Sequence, residues 1–314
     1  MSITANSATS ARRTAETVKE DAQQRRRAGI DWLSWAMLFP TLVLFLIFEF
    51  YPFFRALYLS FASTDLFGRP KGFAGFENYV AMFTDPAFGA TLVRTLVFTV
   101  TTVVLKLAIG LAIALPLSYR LKGTFWMRSL VLVPMAVSTA IGTLVFRNMF
   151  APVIGFFDQL ATMLGFGTVG WLTSPRVALL STITVDLWIG ISFVILLLMV
   201  AIDGISDDVV EAANLDGATG IRYVRYIIIP GIAPMLLFLA VTQSMAAMKE
   251  FTIFNVLTDG GPASSTRTLV LDIYDLAFGG GTADFAAASA RGMVLFVIIL
   301  VLTLIQFRLS RKQS

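Results

Sequence analysis

The sequence predicts an all-α, polytopic membrane protein with six transmembrane helices. Hydrophobic residues make up 57% of the 314 residues and charged residues only 14%, whereas soluble domains carry about 25% charged residues. The apolar residues are gathered into six runs, each close to the roughly 20 residues that a helix needs to cross the bilayer core. The runs cover about 33–54, 91–117, 129–149, 177–201, 231–257 and 291–308.

The first run, WLSWAMLFPTLVLFLIFEFYPF, follows a polar and charged stretch. Cleavable signal peptides have a shorter apolar region nearer the start, so this run is typical of a signal anchor that stays in the membrane. The runs and their polar borders divide the chain into four segments. We expect a cytoplasmic polar N-terminal tail at 1–32, the first transmembrane helix and an external loop at 33–89, a transmembrane core of five helices at 90–308, and a cytoplasmic C-terminal tail at 309–314.

The basic residues indicate the orientation of these helices. If the N-terminus is cytoplasmic, the cytoplasmic segments hold 14 of the 24 Lys and Arg residues, and the clearly external loops hold four. Cytoplasmic loops carry such an excess of Lys and Arg, so both termini are expected in the cytoplasm. The basic residues lie at the ends of apolar runs, which explains the positive net charge without a nucleic-acid partner.

The composition also excludes several kinds of active site. The chain has no cysteine and no histidine, which removes disulfides, thiolate metal sites and the commonest general base and metal ligand. No GxxxxGK[ST] phosphate loop follows a strand anywhere in the sequence. We therefore expect a chain that is not an enzyme and that binds no metal or cofactor itself.

A polar loop at 203–230, DGISDDVVEAANLDGATGIRYVRYIIIP, separates the fourth and fifth runs. Ser206 suits a helix N-cap, and the acidic residues after it complement the helix dipole. We expect a short helix over Val209–Asp216, a turn at Gly217, where glycine avoids a Cβ clash, and then a second short helix. Pro230 suits the start of the next span, because a first-turn residue needs no amide donor.

This loop resembles the EAA motif of permease subunits in binding-protein-dependent ABC importers. In that family the loop forms coupling helices that dock into a groove on a cytoplasmic ATPase, and small residues allow the close approach. The chain departs from the usual pattern at Val224, where an aromatic residue is common, and at Ile229, where leucine is common. The resemblance implies an ATPase-coupling role for Glu211, Ala212, Ala213, Asp216, Gly217, Ala218 and Pro230.

Two further segments extend the resemblance over the chain from about residue 33 onward. FAGFENY at 73–79 is similar to the FxGxxNY segment of carbohydrate-type permeases. LTDGGP at 257–262 is similar to an LTxGGP segment that is characteristic of subunits like the larger maltose-transporter permease. The fold that this resemblance implies is the type I ABC importer core, in which spans two to six form the conserved module.

The same resemblance implies the partners and the location of the chain. Importers of this family contain a second homologous permease subunit, two ATP-binding subunits that bind the ATP, and an extracytoplasmic solute-binding protein. The expected location is the cytoplasmic membrane of a bacterium or archaeon, with lipid around the spans. The implied function is ATP-driven import of a sugar or sugar-like solute, including compounds like glycerol 3-phosphate.

Ionisable groups at bilayer depth are costly and often functional. Lys106 lies near the middle of the second run, Asp186 near the middle of the fourth, and Lys249 and Glu250 in the outer part of the fifth. They either line a solute path or stabilise the bundle, for example through a Lys106–Asp186 pair. Aromatic rings near them could stack on sugar C–H faces or pack within the bundle. The candidates for the solute path are Asp186, Trp188, Glu250, Phe251, Phe254 and Asn255.

Two other functions remain open from the sequence alone. An ion-gradient-driven secondary transporter would contain inverted repeats and half-helices at the midplane, and no convincing repeat is evident. A membrane-embedded enzyme would need a site made of carboxylates only, and the acidic residues form no compact pair or DxxD-type cluster at one membrane depth. The basic residues within the runs do not decide between a neutral and an anionic solute.

Overall fold

The computed structural model describes residues 32–118, 124–279 and 283–310. The predicted tails at 1–32 and 309–314 lie largely outside these ranges. The chain divides into two compact units, one ending at Arg55 and the other beginning at Ala56, and each is described by itself.

The first unit is an apolar helix. It starts with α1 (Trp32–Phe45), passes through a π-helical turn at Leu46–Phe50, and enters α2 (Tyr51–Ser60). Its side chains, where described, are exposed or half-buried up to Arg55, and most of them are large and hydrophobic. A helix that is apolar on all sides suits a lipid environment, which agrees with the predicted first span.

The second unit contains a short hairpin followed by helices. In the hairpin, the two strands are antiparallel, with Ala62 opposite Phe73. The elements are β1 (Ala62–Thr64), β2 (Pro70–Phe73), α3 (Glu77–Thr84), α4 (Pro86–Ser118), α5 (Thr124–Leu132), α6 (Thr139–Met149), α7 (Phe156–Met163), α8 (Ala178–Asp203), α9 (Asp207–Leu215), α10 (Gly220–Tyr223), α11 (Ile229–Gly231), α12 (Ala233–Met248), α13 (Thr252–Leu257), α14 (Leu269–Phe278) and α15 (Phe285–Ser310).

The FAGFENY segment connects the hairpin to the neighbouring helices through side-chain hydrogen bonds. Asn78 donates its amide protons to the carbonyl oxygens of Ser60 and Ala62, at 3.0 Å each. The hydroxyl of Tyr79 lies 2.8 Å from the Ser60 hydroxyl. Gly75 has a φ of +58°, a left-handed conformation that glycine adopts without steric cost. The motif thus supplies hydrogen bonds and a turn that define where α3 starts.

The bundle core lies between α4 and α8. At Gly110 the two helices approach so closely that an added Cβ would lie 2.8 Å from a methyl carbon of Val194. Buried threonines on α4 donate hydrogen bonds from their hydroxyls to backbone carbonyls of the same helix. For example, the Thr99 hydroxyl donates to the Thr95 carbonyl at 2.8 Å. The Thr95 hydroxyl also accepts the amide proton of Leu269 at 2.9 Å. The hydroxyls of these buried threonines are therefore satisfied by backbone groups of the bundle.

Two of the predicted spans are bent rather than straight. The third breaks between Ala136 and Thr139, and the helices on either side form an angle of 97°. Val137 and Ser138 have extended backbones there, and a 3₁₀ turn containing Pro134 precedes them. The predicted span over 129–149 therefore consists of two helical pieces.

The fifth span begins at a bend of 72°, which lies between Gly231, at the end of the preceding loop helix, and Ala233. The helix resumes at Ala233 with Pro234 in its first turn, where a missing amide proton costs nothing. Pro230 lies in the first turn of α11, the short helix before the bend. The span also ends early: α12 stops at Met248, and residues 249–251 are not helical.

The described residues contain four helices that are long and apolar enough to cross a membrane, and up to six such spans if each bent pair counts as one. The predicted all-α membrane fold is confirmed. Each bent pair is long and apolar enough for a span only when its two helical pieces are counted together.

Candidate coupling loop and translocation path

The coupling loop, residues 203–230, folds as a helix, a glycine turn and a second helix. α9 ends in a Schellman motif: the amide of Ala218 donates to the Ala213 carbonyl at 2.9 Å, and that of Gly217 to the Asn214 carbonyl at 3.1 Å. Gly217 has a φ of +72°, as this motif requires at the position after the C-cap. The predicted turn at Gly217 therefore has a backbone that other residues adopt only with strain.

One side of the loop packs on its own subunit. Ala213 is only 4% exposed, and it lies in a core cluster with Tyr223 and Ile228. The sequence had grouped Ala213 with the small residues open to a second backbone, but in this structure it faces inward. Tyr223 supplies aromatic packing beside Val224, where the family usually has its aromatic residue.

The other side of the loop is exposed. Glu211, Ala212, Asp216 and Gly217 all lie at the surface. Two large aliphatic side chains accompany them: Leu215 is 89% exposed and Ile221 is 79% exposed. Sequence reasoning missed both, although their positions on either side of the glycine turn could have indicated them. An exposed apolar tip beside a charged group is typical of a surface that binds another protein.

A buried ion pair lies within the bundle. Lys106 Nζ is 2.8 Å from Asp186 Oδ2, and both side chains are largely buried. The ammonium group also donates to Gln243 Oε1 at 3.3 Å. Gly190 makes room for it, because a Cβ there would lie 2.7 Å from Nζ. These polar contacts connect α4, α8 and α12, so the structure forms the Lys106–Asp186 pair considered from the sequence.

The segment Lys249–Phe251, called the break below, separates α12 from α13. The sequence placed Lys249 and Glu250 on a continuous helix, and this is wrong: both lie in non-helical backbone. The amide of Ile253, in the first turn of α13, donates to Glu250 Oε1 at 2.8 Å. Glu250 therefore caps the restarted helix, in addition to any contact with solute.

The aromatic candidates differ in exposure. Phe254 is fully buried, and its ring makes an edge-to-face contact with Phe98 at 4.7 Å. Phe251 is half-buried beside Tyr274, and Asn255 is half-buried as well. Trp188 is 36% exposed and packs against Phe146. Phe254 therefore serves packing in this conformation, whereas the others have surface available.

α13 packs against α6 and α8. One polar contact fixes it there: Arg147, in the last turn of α6, donates from Nη1 to the Val256 carbonyl at 3.2 Å. The sequence analysis did not single out Arg147. Its position near the end of an apolar run was the available signal, because arginine is rare within spans.

The LTDGGP segment leads into a network of charged groups at the start of α14. The hydroxyl of Thr266 donates to the Gly261 carbonyl at 2.8 Å. Asp272 binds two arginines, Arg267 at 2.9 Å and Arg291 at 2.7 Å. Burial raises the pKa of Asp275, which lies next to this network and pairs with Arg267. The network ties the loop to α14 and α15.

Metal ligands are not grouped in this structure. Within residues 32–118, 124–279 and 283–310, no three His, Cys, Asp or Glu side chains are placed so that they could hold a metal ion.

The chain matches the family described as "Binding-protein-dependent transport system inner membrane component" over residues 106–314. It is similar to the sn-glycerol-3-phosphate transport system permease protein UgpA of Brucella suis, with 31% identity over 90% of this chain and 95% of the relative. The UgpA protein of Yersinia pestis is 29% identical over the same shares.

Two solved structures have a similar fold. One is a bacterial ABC transporter involved in import of the acidic polysaccharide alginate, with a TM-score of 0.80, 23% identity, and coverage of 92% of this chain and 99% of that one. The other is an alginate ABC transporter in complex with an alginate pentasaccharide-bound periplasmic protein, with a TM-score of 0.78, 24% identity, and coverage of 90% and 95%. The chain thus belongs to the family of binding-protein-dependent transport system inner membrane components, and it is a membrane permease subunit of a bacterial ABC importer rather than an enzyme.

Proposed function

We propose that this subunit forms, together with a second homologous permease subunit, the translocation path for a sugar or sugar-like solute, with glycerol-3-phosphate-like compounds included. The relatives named for sn-glycerol-3-phosphate transport support this class of solute, because they align along nearly the whole chain. Family membership favours this function over the ion-gradient-driven secondary transporter that the sequence alone left open.

The energy for import comes from two ATP-binding subunits that bind the coupling loop. The exposed tip of that loop is the observation that supports this most directly. Leu215 and Ile221 present apolar surface on either side of the left-handed Gly217, and burial of such surface favours association. Glu211 offers a charge to a basic group on the ATPase. The residues proposed for coupling are Glu211, Ala212, Ala213, Asp216, Gly217, Ala218 and Pro230. Of these, Ala213 supports the loop from within.

The solute path passes the break and the adjoining faces of α6 and α8. Irregular backbone at membrane depth is tolerated only where it is buried in protein or lines an aqueous cavity, and the break is such a segment. Asp186, Trp188, Glu250, Phe251 and Asn255 are the proposed path residues, and Phe254 supports them by packing.

Both termini are cytoplasmic in this proposal, and the chain crosses the cytoplasmic membrane six times. An extracytoplasmic solute-binding protein delivers the solute to the outer loops. The segments are the tail at 1–32, the first helix with its external loop at 33–89, the core at 90–308 and the tail at 309–314. ATP is bound by the partner subunits and no cofactor by this chain.

The experiment that tests this function is purification of the affinity-tagged subunit from its native membrane, followed by reconstitution in vesicles with its solute-binding protein. We expect the second permease and the ATPase to co-purify, and uptake to require ATP. Uptake that follows an ion gradient without ATP, or a preparation without ATPase, would contradict the proposal. Addition of an ionophore serves as the control, because it should leave ATP-driven uptake intact.

A further inference from the structure

We propose that Arg147 makes the translocation path selective for an anionic solute, one that carries a carboxylate or phosphate group. This inference rests on the proposed function and goes beyond it by assigning the charge of the solute and the residue that recognises this charge.

Arg147 is an exposed cation on an apolar helix. It lies in the last turn of α6, and the neighbouring exposed side chains on that helix include Leu144 and Val145. A charged side chain among such neighbours is costly in hydrocarbon and normally faces the bundle interior or a water-filled cavity. Its contact with the Val256 carbonyl at 3.2 Å directs the guanidinium toward α13.

The charge of Arg147 is not neutralised within this chain. Of the ion pairs formed among residues 32–118, 124–279 and 283–310, none includes Arg147. Lys106 differs in both respects: its side chain is only 3% exposed, and its ammonium group lies 2.8 Å from Asp186. Lys106 therefore has no free charge to offer to a solute, whereas Arg147 retains four N–H groups beyond the one that it donates to Val256.

The helix that Arg147 holds is the one that follows the break. Discontinuous helices at membrane depth mark binding sites in many transporters, because their interrupted backbone lines a polar cavity. The α6 residue beside Arg147, Phe146, contacts the partly exposed Trp188 at a centroid distance of 5.3 Å. Arg147 therefore contacts the later part of α13, at Val256, while its chain neighbour Phe146 contacts Trp188.

The geometry of arginine determines which solutes fit. A guanidinium presents parallel N–H donors that match the two oxygens of a carboxylate or phosphate, and such charge-assisted bonds are stronger than neutral ones. A neutral sugar offers hydroxyls, which gain less from this group. Anionic solutes are therefore expected to depend on Arg147 and neutral ones are not.

The test uses the complete transporter in vesicles with its solute-binding protein. The probes are sn-glycerol 3-phosphate and a uronic-acid trisaccharide as anions, and maltotriose as the neutral sugar. We expect the wild type to take up an anionic probe. Arg147→Gln should lower that uptake about 10- to 100-fold at subsaturating concentration, because it loses a hydrogen bond to a charged group. The uptake rate of Arg147→Lys should lie between those of the other two.

Arg176 provides a matched control. It is an exposed arginine on the same predicted side of the membrane and, within the part of the chain that the structure describes, forms no hydrogen bond or ion pair with α13, so Arg176→Gln should leave uptake close to the wild-type rate. Uptake of maltotriose alone, with full dependence on ATP, would overturn the inference while leaving the proposed function in place. Unchanged anion uptake in Arg147→Gln would also overturn it. So would loss of the second permease subunit from the purified Arg147→Gln complex, because Arg147 would then be an interface residue.

Discussion

The contact between Lys106 and Asp186 joins residues that are far apart in the sequence and would each be costly alone in the membrane. A buried charge that loses its partner destabilises a protein by about 3–5 kcal/mol, although replacement of both partners by apolar residues is often neutral. The pair at 2.8 Å therefore contributes to the stability of the packing between α4 and α8.

We predict that Lys106→Met or Asp186→Leu alone lowers the free energy of unfolding by about 3–5 kcal/mol, and that the double variant recovers most of the loss. The measurement is the thermal midpoint of the detergent-solubilised subunit. Gly190→Ala should also lower it, because its Cβ would lie 2.7 Å from Lys106 Nζ. Gly142→Ala is the control, since its Cβ would meet only ordinary contacts from 3.5 Å. Wild-type stability of both single variants would contradict a structural role for the pair.

At Glu250, one substitution can remove the charge and keep the size and hydrogen bond of the side chain. Its Oε1 accepts the amide proton of Ile253 at 2.8 Å, and a glutamine oxygen can accept the same bond. We predict that Glu250→Gln impairs solute uptake while the complex assembles and hydrolyses ATP at its basal rate. Uptake assays and ATPase assays on one preparation provide the measurement. Full uptake by the variant would leave Glu250 as a helix cap only.

The helices show which features are readable from sequence and which are not. Hydropathy predicted the four straight candidate spans, because membrane depth demands long apolar runs whatever they pack against. The turn at Gly217 was also predictable, because its glycine follows a helix that ends in a recognised motif. The break at Lys249–Phe251 was not, since this segment contains neither glycine nor proline. Packing of α13 on α6 and α8 accompanies it, and such contacts between distant segments leave no local signal.

Arg147 and the ion pair illustrate the same limit for the site. The sequence identified Lys106 and Asp186 as charges in apolar runs but did not determine whether they meet. Arg147 lies near the end of a run, where an arginine is equally consistent with anchoring at the membrane surface. Its contact with Val256 becomes evident only when α6 and α13 are placed side by side.

The coupling loop can be tested as a unit. We predict that Gly217→Asp, or the charge reversal Glu211→Lys, leaves the spans inserted but uncouples uptake from ATP hydrolysis or releases the ATPase. At Gly217 a side chain would meet no atoms of this subunit within 4 Å, so it would project toward the partner. The left-handed backbone adds roughly 1–2 kcal/mol of strain. The measurements are ATPase retention on the purified complex and uptake in vesicles.

Gly165→Asp is a matched control for that prediction. Gly165 also follows a helix, α7, in a Schellman motif with a φ of +86° and open space around it. The two substitutions impose similar backbone strain, but only Gly217 lies on the proposed docking surface. Gly165→Asp should therefore retain the ATPase. Normal uptake and normal retention in both coupling-loop variants would remove the basis for docking at this loop.

The topology of the molecule depends on whether each bent pair crosses the membrane. If the pair Trp126–Ala136 and Thr139–Met149, bent by 97°, is one span, residues after it lie outside and the coupling loop lies inside. If the pair turns back within the membrane, both assignments are reversed. The excess of Lys and Arg, 14 against four, favours a full crossing, because basic residues are retained on the cytoplasmic side.

We therefore predict that reporter fusions after residues 70, 168 and 265 are external, and that a fusion near residue 205 is cytoplasmic. Residue 168 is the decisive position, because it follows α7 and precedes α8. A cytoplasmic reporter at 168 together with an external one at 205 would mean that the third apolar run is re-entrant. The coupling loop would then lie on the wrong side of the membrane for an ATPase, and no set of contacts within the loop could preserve its proposed role.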